Sequence, residues 1–441
     1  MSNTSKDSFV DINEGQNLVA SNPILEGLGV CDPQVRVYGD RAYLYATHDE
    51  SVQSKDFVMH DWWVWSSADL VNWRHECNIR PEDTYYGKSC ASCWATDAIS
   101  RNGKYYFYFS RGPMEIGVMA SDSPTGPWMD PLRRPLIAEG STPTDARDPG
   151  ILLDDDGEAY IIFGVWDFYI ARLNPDMISL AEVPRLVVLD QKMGPYGPGK
   201  TDDKPFLHKH GGHYYLSWGC YYAMSNNVYG PYIYKASLVI EERVASEFRK
   251  GLTMDRHGSF FEMHSQSYFI CNDQSFPGST PVFRNSVISY IHYRNNGEIE
   301  PIEITRIGVG QYDARLPRLQ AENYFAAAGA TKTECPAGGF EMRDLRHGSC
   351  LKYPNVMNLQ ANSNVSFCVA SGNPTGGTIE VRVGAVNGEL IGQCKVACTG
   401  GWHIFKTFRC TLANGAGRTN LCLVITGGTG ELLRLDWLSF A

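Results

Sequence analysis

The sequence predicts an all-β chain in two parts: a five-bladed β-propeller over residues 1–310 and a β-sandwich of jelly-roll type over residues 318–441. Three observations carry this reading. A turn followed by an aromatic strand recurs five times at intervals above 50 residues. Aromatics make up 12% of the chain and glycines number 43, a balance that suits strands and tight turns. Beyond residue 318 the sequence offers short strand-like runs and glycine turns, with no long helical pattern.

The length of 441 residues fits two domains, because single cores stop growing near about 250–300 residues. The recurrent segments begin at Gly39, Asn102, Asp156, Gly211 and His264. Their marker residues Tyr43, Tyr106, Tyr160, Tyr215 and Tyr268 are spaced by 63, 54, 55 and 53 residues. Four copies carry a glycine-containing turn, the mark of a hairpin. A period this long built from short strands reads as propeller blades, one per copy. Near 304–318 the composition shifts, and runs such as 378–383 and 420–425 supply the strands of the sandwich.

Charge narrows the function. Lys plus Arg number 39 against 49 for Asp plus Glu, a net charge of −10, which argues against nucleic acid or an anionic membrane as partner. Apolar runs such as 160–166 fall far short of the ~20 residues that cross a bilayer. The start, 1–16, is polar and lacks the apolar core of a signal peptide. The compartment is therefore left open: cytoplasmic, or secreted with an export signal removed. Of the 13 cysteines, Cys90 and Cys93 form a CxxC pair, but no second pair follows to complete a zinc site.

The carboxylates carry the chemistry. Asp32, Asp97, Asp148 and Asp203 precede their marker tyrosines by 11, 9, 12 and 12 residues, and His257 precedes the fifth by 11. Equivalent positions on innermost propeller strands converge on the central channel, so these side chains are expected to cluster. Crowded carboxylates raise one another's pKa and supply both an acid and a base, as glycosidic cleavage requires. The competing reading, turn aspartates at strand starts, is weakened because Asp32, Asp148 and Asp203 each precede a proline or a Lys-Pro.

The motifs Cys31-Asp32-Pro33, Trp94-Ala95-Thr96-Asp97, Arg147-Asp148-Pro149 and Asp203-Lys204-Pro205, with the aromatic stretch 60–73, resemble glycoside hydrolase family 43 over roughly 20–305. The segments 320–324, 399–402 and 435–440 look like a family 6 carbohydrate-binding module. The resemblance implies Asp32 as general base, Asp148 as the residue that orients the acid and raises its pKa, and Asp203 as general acid. The family's acid is usually Glu in a Glu-Gly-Pro or Glu-Ala-Pro motif; Asp203 is one methylene shorter, and Asp202 and Glu262 are the fallbacks. It further implies Trp94 in the sugar pocket, Arg284 binding sugar hydroxyls or steadying Asp203, and Trp402 stacking on a sugar in the tail, where Asp344 falls near the place of a second aromatic. His257 is the residue that a water-linked structural calcium would use; no cofactor is required for the reaction.

The reading is thus an inverting, exo-acting α-L-arabinofuranosidase on plant cell-wall polysaccharide or oligosaccharide, working as a monomer. β-Xylosidase or mixed activity and exo-galactanase are alternatives within the family. A retaining fructan enzyme would want Asn where Cys31 stands, and a non-catalytic sugar-binding propeller is suggested by the absent Glu.

Overall fold

Each recurrent segment is the second strand of an antiparallel sheet. The computed structural model describes residues 21–250, 256–413 and 417–441, so the polar start read above lies outside the described residues. These residues divide into two compact units, 21–310 and 311–441.

The first unit is a five-bladed β-propeller. Blade I is β1 (Val30–Tyr38), β2 (Arg41–His48), β3 (Trp62–Ser67) and β4 (Arg74–Ile79). Blade II is β5 (Cys93–Arg101), β6 (Lys104–Arg111) and β7 (Glu115–Ser121). Blade III is β8 (Gly150–Leu153), β9 (Ala159–Val165), β10 (Asp167–Leu173) and β11 (Arg185–Leu186). Blade IV is β12 (Pro205–His210), β13 (His213–Trp218), β14 (Tyr221–Ser225) and β15 (Ile233–Ser237). After β16 (Val239–Val244), blade V is β17 (Gly258–Met263), β18 (Gln266–Asp273) and β19 (Asn285–Tyr290); β20 (Ile302–Ile304) then pairs parallel with β16. Within each blade the strands lie in chain order.

The core sits between blades. Tyr108, Ile116, Ile151 and Phe163 join blades II and III, and Phe206, Tyr215, Phe260 and Phe269 join IV and V. Each such side chain contributes about 1.5–3 kcal/mol when fully buried. At Gly150 a side chain would meet the Pro205 carbonyl at 2.6 Å, so glycine is what lets the inner strands of blades III and IV approach. The ring is closed by residues ahead of β1. The Ile24 N–H donates to the Ser286 carbonyl at 2.8 Å, and the Asn22 amide both donates to the Ile288 carbonyl (2.8 Å) and accepts from its N–H (2.9 Å).

The second unit is a β-sandwich. One sheet includes Cys350–Leu359, Gly417–Thr426, Gly377–Val383 and Leu390–Val396; the other includes Phe340–Leu345, Leu433–Phe440, Asn364–Ser371 and Gly401–Thr411. Leu351, Val365, Ile379, Leu423 and Leu435 fill the space between them. Among the described residues the helical pieces are the 3-10 turns Pro81–Asp83 and Ala321–Asn323.

Candidate active site

The inner strand of a blade starts at one mouth of the channel and runs away from it. A residue just ahead of that strand, or at its first turn, therefore faces the mouth. In three blades that residue precedes a proline and adopts a left-handed backbone: Asp32 at φ 48°, Asp148 at φ 57° and Lys204 at φ 54°. Non-glycine residues rarely hold this conformation, and residues before proline normally avoid helical values. Such strain, of order 1–3 kcal/mol each, persists where surrounding structure over-determines it. The strict equivalent of Asp32 and Asp148 in blade IV is thus Lys204, with Asp203 one residue ahead.

Asp32 is buried and heavily tethered. Its Oδ1 accepts from Asn272 Nδ2 at 2.7 Å and Arg284 Nη1 at 3.1 Å, and meets His257 Nδ1 at 3.2 Å. Burial pushes this carboxyl up, but the Arg284 guanidinium, then His257 and Lys204, outweigh burial and hold it well below the usual carboxylate range. Asp32 is therefore held as a carboxylate.

Asp148 shows the opposite balance. Burial, and then the Asp203 carboxylate, push it up to about 6 against the pull of Arg147 and His257. One oxygen each of Asp148 and Asp203 and one nitrogen of His257 lie within 4.8 Å of one another. Asp203 is the outer member of this carboxylate pair, its side chain 22% exposed. Burial raises it, yet His257 Nε2, in close contact, and Arg147 Nη2, at 3.3 Å, hold it below its ordinary value. Below about pH 6 the proton of the pair therefore rests on Asp148.

His257 stands between Asp32 and Asp203 with a ring nitrogen on each. Hydrogen bonds at both ends of a ring whose nitrogens are about 2 Å apart place the two carboxyls roughly 7 Å apart. One of its nitrogens is also grouped with an oxygen each of Asp148 and Asp203 closely enough to hold a metal ion, so the residues present could take the His257 calcium implied by the resemblance.

Lys204 is the residue sequence reasoning passed over. It is buried, its Nζ donates to the Asp32 carbonyl at 3.0 Å, and its N–H donates to Asp148 Oδ2 at 3.1 Å. It is therefore tied to all three aspartates, one of them through the chain. Arg147, quoted in a motif but given no role, is the second omission: it holds Asp203 and lies 5.5 Å over the Trp94 ring. That contact places Trp94 beside the cluster, and its indole N–H has no acceptor among the described residues.

Other expectations are corrected. The described bonds of Arg284 go to Asp32 and Asp49 instead of Asp203, meeting Asp49 Oδ2 at 3.1 Å and Oδ1 at 3.0 Å. Asp97, two residues farther down its strand than the pattern asks, is buried against Arg36 at 2.6 Å and the Ile151 N–H at 2.7 Å. Glu262 is five residues along β17 from His257, about 16 Å at ~3.3 Å per residue, so it lies toward the opposite mouth. There it is 62% exposed and pairs with His210 at 3.2 Å. Asp202 is buried, and its carbonyl accepts from the Trp166 N–H at 3.1 Å.

In the sandwich the Trp402 ring packs against Gly372, where a side chain would come within 2.6 Å of it, and Arg434 lies 5.2 Å over its face. Asp344, in a left-handed conformation, donates its N–H to Glu431 Oε1 at 3.0 Å. Glu431 also accepts from Arg434 Nε at 3.0 Å, so Asp344, near the place of a second aromatic, is linked to Trp402 through charged side chains. A cavity of about 590 Å³ opens between blades I and V, lined by His48, Asp49, Trp63 and Phe283 among others.

A five-bladed propeller that gathers an ionised aspartate and a proton-holding carboxylate pair at one mouth defines a glycoside hydrolase. The chain belongs to glycosyl hydrolases family 43, whose model matches residues 20–299; residues 320–441 match the model of carbohydrate binding module family 6. The chain is similar to an arabinoxylan arabinofuranohydrolase of Paenibacillus polymyxa, 28% identical across 95% of this chain and 74% of that protein. It is also similar to one of Bacillus subtilis (strain 168), 26% identical across 95% and 92%. The crystal structure of a family 43 arabinoxylan arabinofuranohydrolase from Bacillus subtilis in complex with cellotetraose shares the fold: TM-score 0.56, 24% identity, 96% of this chain and 97% of that one.

Proposed function

We propose that the protein is an inverting, exo-acting α-L-arabinofuranosidase that removes terminal arabinofuranose from arabinoxylan-type chains. The observation that carries the inverting reading is the imidazole between Asp32 and Asp203. The separation of roughly 7 Å that this bridge sets falls in the ~6.5–9.5 Å range of inverting enzymes, outside the ~5–5.5 Å of retaining ones. Similarity to two arabinoxylan arabinofuranohydrolases, extending through both domains, supports the sugar and the polymer.

In this reading Asp32 takes a proton from water as the water attacks the anomeric carbon. The glycosidic bond breaks, and its oxygen receives the proton held by the Asp148–Asp203 pair. Asp203, the outer member, hands it over. Asp32 ends protonated and the pair ends deprotonated, and exchange with solvent restores both. No step runs through a metal.

The test compares aryl α-L-arabinofuranoside, β-D-xyloside and β-D-galactoside as substrates, followed by proton NMR of the first-formed sugar. Release of arabinose with inversion is expected. A preference for the xyloside or galactoside would reassign the sugar, and a retained anomer would overturn the roles of Asp32 and Asp203.

A further inference from the structure

The acid side of an inverting site is the leaving-group side, so whatever lies beside Asp203 meets the part of the substrate that departs. The turn between β9 and β10 lies there. β8 runs away from Asp148 and β9 returns, which brings residue 166 back to the same mouth. Trp166 donates its N–H to the Asp202 carbonyl at 3.1 Å and accepts from Thr201 Oγ1 at 2.9 Å, immediately ahead of Asp203. It is 37% exposed and held at φ 63°, a conformation that is a true outlier for a bulky side chain. Tyr196, 58% exposed, stands edge-on to it with centroids 5.2 Å apart. The loop carrying Tyr196 is pinned by the Lys192–Asp167 ion pair, and Lys200 lies 5.2 Å over the Trp166 ring.

We propose that Trp166 and Tyr196 form a platform that binds the main-chain xylopyranose units from which the arabinose is cleaved. The proposal rests on the arabinofuranosidase reading for its choice of sugar. A xylopyranose ring has no exocyclic hydroxymethyl group, so both its faces present C–H groups, which pack well on an exposed aromatic ring. A backbone strained to expose a tryptophan is otherwise unexplained by packing, since the side chain is not buried. The platform lies across the cluster from Asp32 and the cavity lined by Trp63, which places it with the leaving group and not with the attacking water.

The test uses the full chain with Trp166→Ala, Tyr196→Ala and Trp166→Phe. Their kcat/KM is measured on an aryl arabinofuranoside, which has no sugar leaving group, and on an arabinose-substituted xylo-oligosaccharide. Removing either ring should lower kcat/KM on the oligosaccharide about 3- to 10-fold, mainly through KM, with the aryl substrate unchanged. Trp166→Phe should keep most of the wild-type value. Equal losses on both substrates, or none on either, would overturn the platform. Quenching of tryptophan fluorescence by unbranched xylohexaose is the second measurement. If the wild-type chain proves inactive on arabinosides, the enzymatic reading fails alone. Quenching lost in Trp166→Ala would still support the platform, and unchanged quenching would overturn it.

Discussion

Arg284→Met is the most direct test of how the site keeps its base ionised. One buried guanidinium serves two buried carboxylates, Asp32 at 3.1 Å and Asp49 through two nitrogens at 3.0 and 3.1 Å. Methionine keeps an unbranched stem and removes the cation. Breaking a buried ion pair from one side costs ~3–5 kcal/mol. Two carboxylates lose their counter-ion here, but Asn272 still donates to Asp32 at 2.7 Å, so a loss of about 4 kcal/mol is expected. At about 2–4 °C per kcal/mol for a domain near this size, the propeller should melt roughly 10 °C lower. Because Arg284 does most to offset burial at Asp32, the acid limb of kcat/KM should also move to higher pH. Thermal melts and a pH profile read both effects. Arg284→Lys should fall between the two, having charge without the fork. Adding Asp49→Asn to Arg284→Met should recover part of the stability. If Arg284→Met melts within about 2 °C of the wild type, under 1 kcal/mol by the same conversion, and keeps its acid limb, the electrostatic account of Asp32 is refuted.

Other outcomes follow from the same geometry. Asp148, raised to about 6 in the fold, holds its proton more tightly there than when unfolded. Its ionisation therefore lowers stability as pH rises from about 4 to 6, by at most about 3 kcal/mol, and fully above that window. Asp148→Asn should thus melt higher than the wild type at pH 8, match it at pH 4, and lose both activity and the alkaline limb; a lower melting point at pH 8 would contradict this. Asp203→Ala should cost ~10²–10⁴-fold on a natural oligosaccharide and far less on an activated aryl glycoside, which needs no proton; equal losses would remove it as the acid. Lys204→Met should reduce kcat and cost about 1.5–3 kcal/mol in a melt, the worth of a hydrogen bond to a charged group.

Much of the site was legible because propeller blades repeat. An offset of 11 or 12 residues from the marker tyrosines found Asp32, Asp148, Asp203 and His257, and the chain does bring those four together. The misses have physical reasons. Asp97 obeys the same rule loosely, and two residues along a strand are enough to move a carboxylate from the mouth onto Arg36. Glu262 was excluded by strand direction, which the offset of His257 already implied. The partner of Arg284 depends on contact between the first and last blades, more than 230 residues apart, and no local spacing reports such contacts. Lys204 was in view but read as filler between Asp203 and Pro205, whereas the residue directly before proline is the one that points inward. Trp166 was weighed only as part of an apolar run, since exposure cannot be read from composition.

The closure of the ring by Asn22 and Ile24 has a consequence for how the enzyme comes into being. Blade I is synthesised first and blade V last, and the Asp32 tethers, Asn272, His257 and Arg284, all come from blade V. The surroundings of the Asp32 carboxylate are therefore completed by the same joining of chain ends that seals the propeller. Contacts of such sequence separation form late and slowly. Catalysis can then serve as a clock for folding: in a refolding experiment, arabinosidase activity should return with the final sealing step, lagging the recovery of β-sheet signal. Asn22→Ala, which weakens the seam and not the pocket, should lengthen that lag.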